Sequence, residues 1–545
     1  MRTCGFLLSS LLLFLSSWSA PVQGAELLPP DRPIEEVIDY YINSQLASEE
    51  ITPAPRAADA TLIRRLTLDL AGRIPTLAEA QAFVKSTADD RTVQLVERLL
   101  ASPDYPLHQR NEFDTLLLPN TNDNAWRDYL LEAFRENRPW DQLFRELMLT
   151  EETDEKNRAA LAFLKKRAKD LDDLTNDTSS LFFGVSINCA KCHDHPLVLD
   201  WTQDHYYGMS SFFNRTYLNK RNQLGERDEG LVKFTTTEGE EKQAQLMFLT
   251  GAVVDEPPPP QISEEERKEL EKKRKEDENQ KEGPPPPAPA FSRRAKLVEL
   301  ALRSEDNYFF SRSIVNRIWA RLMGYGLVMP LDQMHSQNPP SHPELLDWLA
   351  RDLVTNGYDL RRLIRGIVLS EAYARSSRWE HGDPPSEKLF AVALPRPLTP
   401  RQFSLSLHFA AQNPDQFPLD MKAEEWAKRR DDFDRRSAGF ANRLEVPNEN
   451  FQVSVSEALL FSNSPSVQND FLGEGNDRLV GKLKSLADHN EQIQTAFWAI
   501  LSRSPEPEEL ETLHQYLTAR EDRPAAALQQ MVWALMTSSE ARFNY

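Results

Sequence analysis

Residues 257–290 cannot join a hydrophobic core, and this limits how the rest of the chain can be built. Pro257 to Pro260 open the segment, and Pro284 to Pro287 with Pro289 close it. Between them Glu264 to Glu282 is almost wholly charged, with Leu270 as its single apolar residue. Such a stretch buries too little apolar surface to offset its chain entropy, so it reads as a solvated helix or an extended spacer. The 545-residue chain also exceeds one ordinary domain. A two-part architecture around a tether is therefore expected.

On both sides of the tether the periodicity is helical. Leu62, Ile63, Leu66 and Leu70 share one face, with Gly72 as a stop. Thr76-Leu77-Ala78-Glu79 is a capping box that opens the next helix. Trp126 to Leu149 reads as two helices parted near Asn137-Arg138-Pro139. Downstream, Ser341-His342-Pro343-Glu344 reads as a second capping box before Leu345, Leu349 and Leu353, and Asp359 as the cap of the helix after it. Ile493, Phe497 and Ile500, then Leu510, Leu513 and Leu517, predict a helix pair turning at Ser504-Pro505. Only Leu231 to Val254, with Val232 and Phe234, then Leu246 and Phe248, alternates as a small β-hairpin. The expected fold class is mainly α, two helical domains with a small β-hairpin element before the Pro-rich charged linker.

The first residues read as an export signal. Arg2 precedes the apolar stretch Phe6 to Leu15, and Val22-Gln23-Gly24 offers a cleavage site before Ala25. No later stretch has transmembrane length, so no integral membrane segment is expected after cleavage. The expected location is periplasmic or extracellular. A formal charge of −20 speaks against a general nucleic-acid or anionic-membrane surface. The boundaries follow: 1–24 the signal, 32–225 a first domain, 226–256 the β element, 257–290 the tether and 291–545 a second helical domain.

Cys4 falls within the signal, so the mature chain keeps only Cys189 and Cys192, in Cys189-Ala190-Lys191-Cys192-His193. That spacing is the one used to attach c-type haem. Two thiols one turn apart reach the two vinyl groups of one porphyrin edge, and the adjacent imidazole faces the iron. A sixth ligand would come from elsewhere, with Met209, His205, Met334, His335 and His342 as candidates, while Phe182, Phe183, Val185, Phe212 and Phe213 could wall an apolar pocket. Two other readings stay open. Cys189 and Cys192 with His193 or His195 and His205 have the ligand types of a structural zinc site. The two thiols alone could cycle as a reversible disulfide. The isolated His108, His381, His408, His489 and His514 read as surface or capping residues.

Longer stretches carry a resemblance. SLFFGVSINCAKCHDHPLVLDWTQDHYYGMSSFF from Ser180 to Phe213, with LIRRLTLDLAGRIPTLAEAQAFV and LLASPDY upstream, resembles a domain of unknown function, DUF1549, of planctomycete secreted proteins, nicknamed cytochrome-like. NYFFSRSIVNRIWARLMGYGLVMPLDQMHSQNPPSHPELLDWLARDL and LIRGIVLSEAYARSS resemble its usual partner, DUF1553. The resemblance implies an exported cytochrome-like protein with haem c on Cys189, Cys192 and His193, a protein redox partner, and a context shared with polysaccharide-degrading enzymes. Relatives often have Asp-Tyr-Tyr where this chain has His205-Tyr206-Tyr207, which weakens His205 as a general ligand. The long tether looks like an insertion.

Overall fold

The computed structural model describes residues 27–119, 121–194, 198, 200–258, 263–303, 308–447 and 454–545. The signal segment and His195 lie outside them. Helix makes up 57% of the chain, and the sheets among the described residues are all two-stranded, so the protein is mainly α. Among the described residues no helix is long and apolar enough to cross a membrane.

The local signals act as their chemistry requires. Gly72, at φ +70°, closes the helix Asp59–Ala71. Thr76 accepts from the Glu79 amide at 3.2 Å, and Glu79 returns a carboxylate to the Thr76 amide at 2.9 Å. The Asp359 carboxylate caps its helix through the Arg362 amide at 3.0 Å. The helices Asn124–Arg135 and Trp140–Leu149 part where expected. The box at Ser341 does not form. Pro343 occupies the first helical position, which moves the cap to His342, and that helix has no side-chain cap.

The β region is larger than one hairpin. Lys233–Thr235 pairs with Glu241–Gln243, and Leu246–Met247 with Val253–Val254. A further pair, Thr216–Leu218 with Leu224–Glu226, precedes them. Its three-residue strands are too short to show alternation in sequence.

The tether contains the helix Glu264–Asn279, opened by a capping box at Ser263 and without one buried residue. It touches the body near its end, where Arg221 donates to the carbonyls of Asp277, Gln280 and Pro284 and Arg227 pairs with Glu278 at 3.0 Å. Its two ends meet. Glu256, just before it, pairs with Arg293, just after it, at 2.6 Å, and with Arg215 at 2.6 Å. Buried Glu226 accepts from Ser292 Oγ, the Arg293 amide and Arg294 Nε. A chain lacking 259–289 and closed by a short Gly/Ser linker should therefore fold. We expect its melting temperature within about 2 °C of the parent's. Loss of the parent's folded species on gel filtration would show that the tether carries packing of its own.

Packing crosses the tether. One apolar core runs from Ile34 to Ala391 and draws on both sides of it. At its centre Trp140 stacks on Phe310, centroids 5.9 Å apart and planes 9° apart, while Phe144 and Phe182 close around them. A second core gathers residues 398–541 with Leu68 and Ile74. The helix Asp59–Ala71 serves both cores, with Leu66 and Leu70 in the first and Leu68 in the second, and the helix Asp104–Leu117 carries a buried ion-pair network to Arg73 and Asp434.

Candidate functional site

The helix Leu171–Phe183 ends at Gly184, φ +67°, and the chain turns there into the Cys-His loop. A Cβ at residue 184 would stand 2.9 Å from the Met334 sulfur, so the close approach requires glycine. Beyond it the Ser186 amide donates to the Asp332 carbonyl at 2.7 Å, the Met334 amide donates to the Gly184 carbonyl at 3.0 Å, and Val185 bridges Gln333. On the far side of the loop Asp200 accepts from the Ser336 amide at 2.7 Å and from its hydroxyl at 2.6 Å. A segment from beyond the tether thus braces the loop at both ends.

Asn188–Lys191 forms one 3₁₀ turn, with Ala190 buried and its amide on the Ile187 carbonyl. Three residues per turn bring positions 189 and 192 into line. Both thiols are free and exposed. The exposed His193 holds Nδ1 2.8 Å from the Asp194 carbonyl oxygen. A carbonyl only accepts, so this hydrogen bond puts a proton on Nδ1 and makes Nε2 the nitrogen that faces any ligand. That is the arrangement of a metal-ligating imidazole whose other nitrogen is fixed by the backbone.

The loop's backbone is held from below. Gln203 Nε2 donates to the carbonyls of Cys192 and Lys191 at 3.3 and 3.5 Å, and the Tyr207 hydroxyl donates to Lys191 at 3.0 Å. Asp194 Oδ1 accepts from the Gln203 amide at 2.9 Å, at the start of the helix Gln203–Ser211. Lys191 pairs with Asp172, which also accepts from the Tyr206 hydroxyl at 2.5 Å. The hydrogen bond to Asp172 raises the Lys191 pKa, and the bonds from Lys191 and Tyr206 lower that of Asp172. Burial, then the bond to Asp172, pushes the Tyr206 phenol well up. Tyr207 stacks on Phe234 at 4.2 Å. These anchors have no signature in the sequence; they are ordinary polar residues that become neighbours only in the fold.

The other expected site residues have diverse surroundings. His205 is half-buried, and its Nδ1 accepts from the Thr202 amide at 3.3 Å beside the Thr202 hydroxyl at 2.9 Å, so it caps its own helix. Burial lowers its pKa. Met209 is buried in the core, and His342 is buried with Nδ1 3.1 Å from Ser341 Oγ. Met334 and His335 lie on the bracing segment itself. Phe182, Phe183, Val185, Phe212 and Phe213 are all buried in the first core. Phe182 packs on Trp140, Phe144 and Phe163, and Phe183 on Phe144 and Phe248. Among the described residues no group of three His, Cys, Asp or Glu side chains is assembled to hold a metal. Two histidines read as surface or capping residues are in fact buried, His108 and His408. Both sit on inward helix faces, where only tertiary packing distinguishes a core imidazole from an exposed one.

Residues 37–217 match the family described as "Protein of unknown function (DUF1549)", and residues 293–517 match that described as "Protein of unknown function (DUF1553)". The chain belongs to the family that pairs these two domains. Neither a curated protein nor a solved structure matches it. In this DUF1549–DUF1553 protein the Cys-His loop lies in the first match and the bracing segment around Met334 in the second. The site is therefore built jointly by the two domains.

Proposed function

We propose that this is an exported c-type cytochrome-like protein, with Cys189 and Cys192 holding haem through thioethers and His193 ligating iron through Nε2. One observation carries the reading. Two exposed free thiols lie one turn apart on a braced loop, followed by an exposed imidazole with Nδ1 held by a backbone carbonyl. The donor set fits the group. The nearby phenylalanines belong to the protein's own core, so a haem here would rest at the surface with an open edge. When bound it would supply one-electron exchange with a protein partner. The chain's own work is to hold the loop, through Gln203, Tyr207 and the Lys191–Asp172 pair, and to keep the His193 tautomer ready.

The test is an absorption spectrum, oxidised and dithionite-reduced, of protein exported from a host with cytochrome c maturation. A sharp reduced α-band that survives acid–acetone extraction is expected. A colourless protein with stoichiometric zinc would overturn the haem reading in favour of a structural metal.

The exposure of both thiols adds a prediction for the colourless polypeptide. A Cys189→Ser, Cys192→Ser chain should abolish covalent haem, yet its unfolding free energy should stay within about 0.5 kcal/mol of the metal-free parent. A structural zinc site would instead make the zinc-loaded parent several kcal/mol more stable than this variant.

A further inference from the structure

His489 and His514 are far apart in sequence, yet the fold sets their imidazoles side by side. His489 opens the helix His489–Ile500, and His514 lies near the end of the helix Pro507–Thr518. Residues 501–506 join the two helices, so the histidines meet at the end away from that turn. Their ring centroids are 5.7 Å apart and their planes 77° apart. An imidazole nitrogen binds a transition metal at about 2.0 Å, which places the ion about 3.2 Å from the ring centre. Two imidazoles on one ion, at an angle of roughly 90–130°, therefore have centres about 4.5–5.8 Å apart. The observed separation falls within that span.

A second observation fixes which nitrogen of His489 is offered. The buried Gln492 donates from Nε2 to the carbonyls of Leu483 and Leu486 at 3.1 and 2.9 Å. That orientation leaves its Oε1 facing His489 Nδ1 at 2.9 Å. An amide oxygen only accepts, so this bond puts a proton on Nδ1 and makes Nε2 the nitrogen that faces any ligand. A buried side chain thus orients the imidazole as an outer contact orients a metal ligand. Glu521 Oε1 is 3.8 Å from that Nε2. It stands too far off to close a three-ligand set, and none is assembled among the described residues. With its side chain 70% exposed, Glu521 supplies counter-charge instead. Asp488 caps the helix through the Asn490 amide at 3.1 Å and so offsets the positive helix end beside His489.

We propose that His489 and His514 together bind one divalent transition-metal ion, Cu(II) most tightly, with water filling its other positions. Imidazole suits copper, nickel and zinc, and copper leads the divalent series. The ion clasps the open end of the helix pair. The site is separate from the Cys-His loop and does not depend on haem there.

Copper titration of the full-length Cys189→Ser, Cys192→Ser chain, read by EPR and by competition with a calibrated chelator, tests this. Without thiols, the Cys-His loop offers copper no sulfur. Adding His489→Gln or His514→Gln should weaken one equivalent of Cu(II) by at least about tenfold. Replacing both should cost little more than replacing either, because one remaining imidazole holds copper only as any surface histidine does. Copper should also raise the melting temperature, saturating as a single site does, only while both histidines are present. Unchanged copper binding after the histidine replacements would overturn the proposal, as would two weak sites each lost with its own histidine. Both side chains are partly exposed, so the variants should fold. Should they not, copper-soaked crystals of the parent decide the matter. An anomalous peak between the two rings supports the site, and no peak there refutes it.

Discussion

Asp104→Ala should remove about 3–5 kcal/mol of unfolding free energy, the largest single-residue loss we expect outside the apolar cores. Asp104 is fully buried at the head of the helix Asp104–Leu117. Its two oxygens serve Arg73 at 3.0 Å and Arg430 at 2.8 Å, and the Trp426 indole donates to it at 3.3 Å. Arg73 is in turn sandwiched between Phe409 at 5.0 Å and Trp426 at 4.5 Å. Deleting the carboxylate leaves two buried guanidiniums short of counter-charge, and the penalty is the stranded charge rather than the lost pair. Asp104→Asn keeps the shape and should lose nearly as much, because the charge is what Arg73 and Arg430 require. The exposed pair Arg435–Asp431 is the control, and Asp431→Ala should change little. Urea unfolding with matched slopes reads all three. A loss at Asp104 no greater than that at Asp431 would mean that the network is reached by water.

What the sequence made legible here was local chemistry. The Thr76–Glu79 box, the left-handed Gly72 and the Asp359 cap depend on residues a turn apart, so a short window holds all of their physics. The tether was legible because composition alone denies it a core. The Cys-His loop was legible because its donors are adjacent. Its supports were not: Asp172, Gln203, Tyr207 and the segment Asp332 to Ser336 reach it only through tertiary folding. The expected apolar wall failed for a related reason. Phe182 and Phe183 look available beside the motif, but helical phase turns them toward Trp140, Phe144 and Phe248. The packing across the tether has the same origin, since nothing in either half states that Phe310 will stack on Trp140. Ser341 shows how one residue decides between two local signals. Its box was outvoted by Pro343, whose fixed φ suits the first helical position.

The buried histidines should make this protein sensitive to mild acid. His108, His342 and His408 are all buried, and burial holds each below the ordinary imidazole value of 6.5. For His108, burial with Arg321 and Arg430 nearby brings it to about 3, and for His342 burial brings it to about 4. These imidazoles stay neutral in the fold and take up protons once the chain opens. Between the folded value and 6.5 the unfolded state therefore binds more protons, so stability falls as pH falls. Their contribution is complete above about pH 6.5 and drains away toward pH 3 to 4. At about pH 5, His108 and His342 should each have lost roughly 2 kcal/mol, together a large share of a typical folding free energy. Asp39, Asp114, Asp352 and Glu112 act the other way, because burial raises them and their protonation favours the fold. The measurement that isolates the histidines is thus a difference. Comparing the parent with a His108→Gln, His342→Gln protein, the drop in unfolding free energy from about pH 7 to about pH 5 should shrink by about 4 kcal/mol in the variant. Parallel losses in the two proteins would show that both imidazoles already gain protons within the folded state, which would require water to reach Gly72 and Phe390, the groups they pack against.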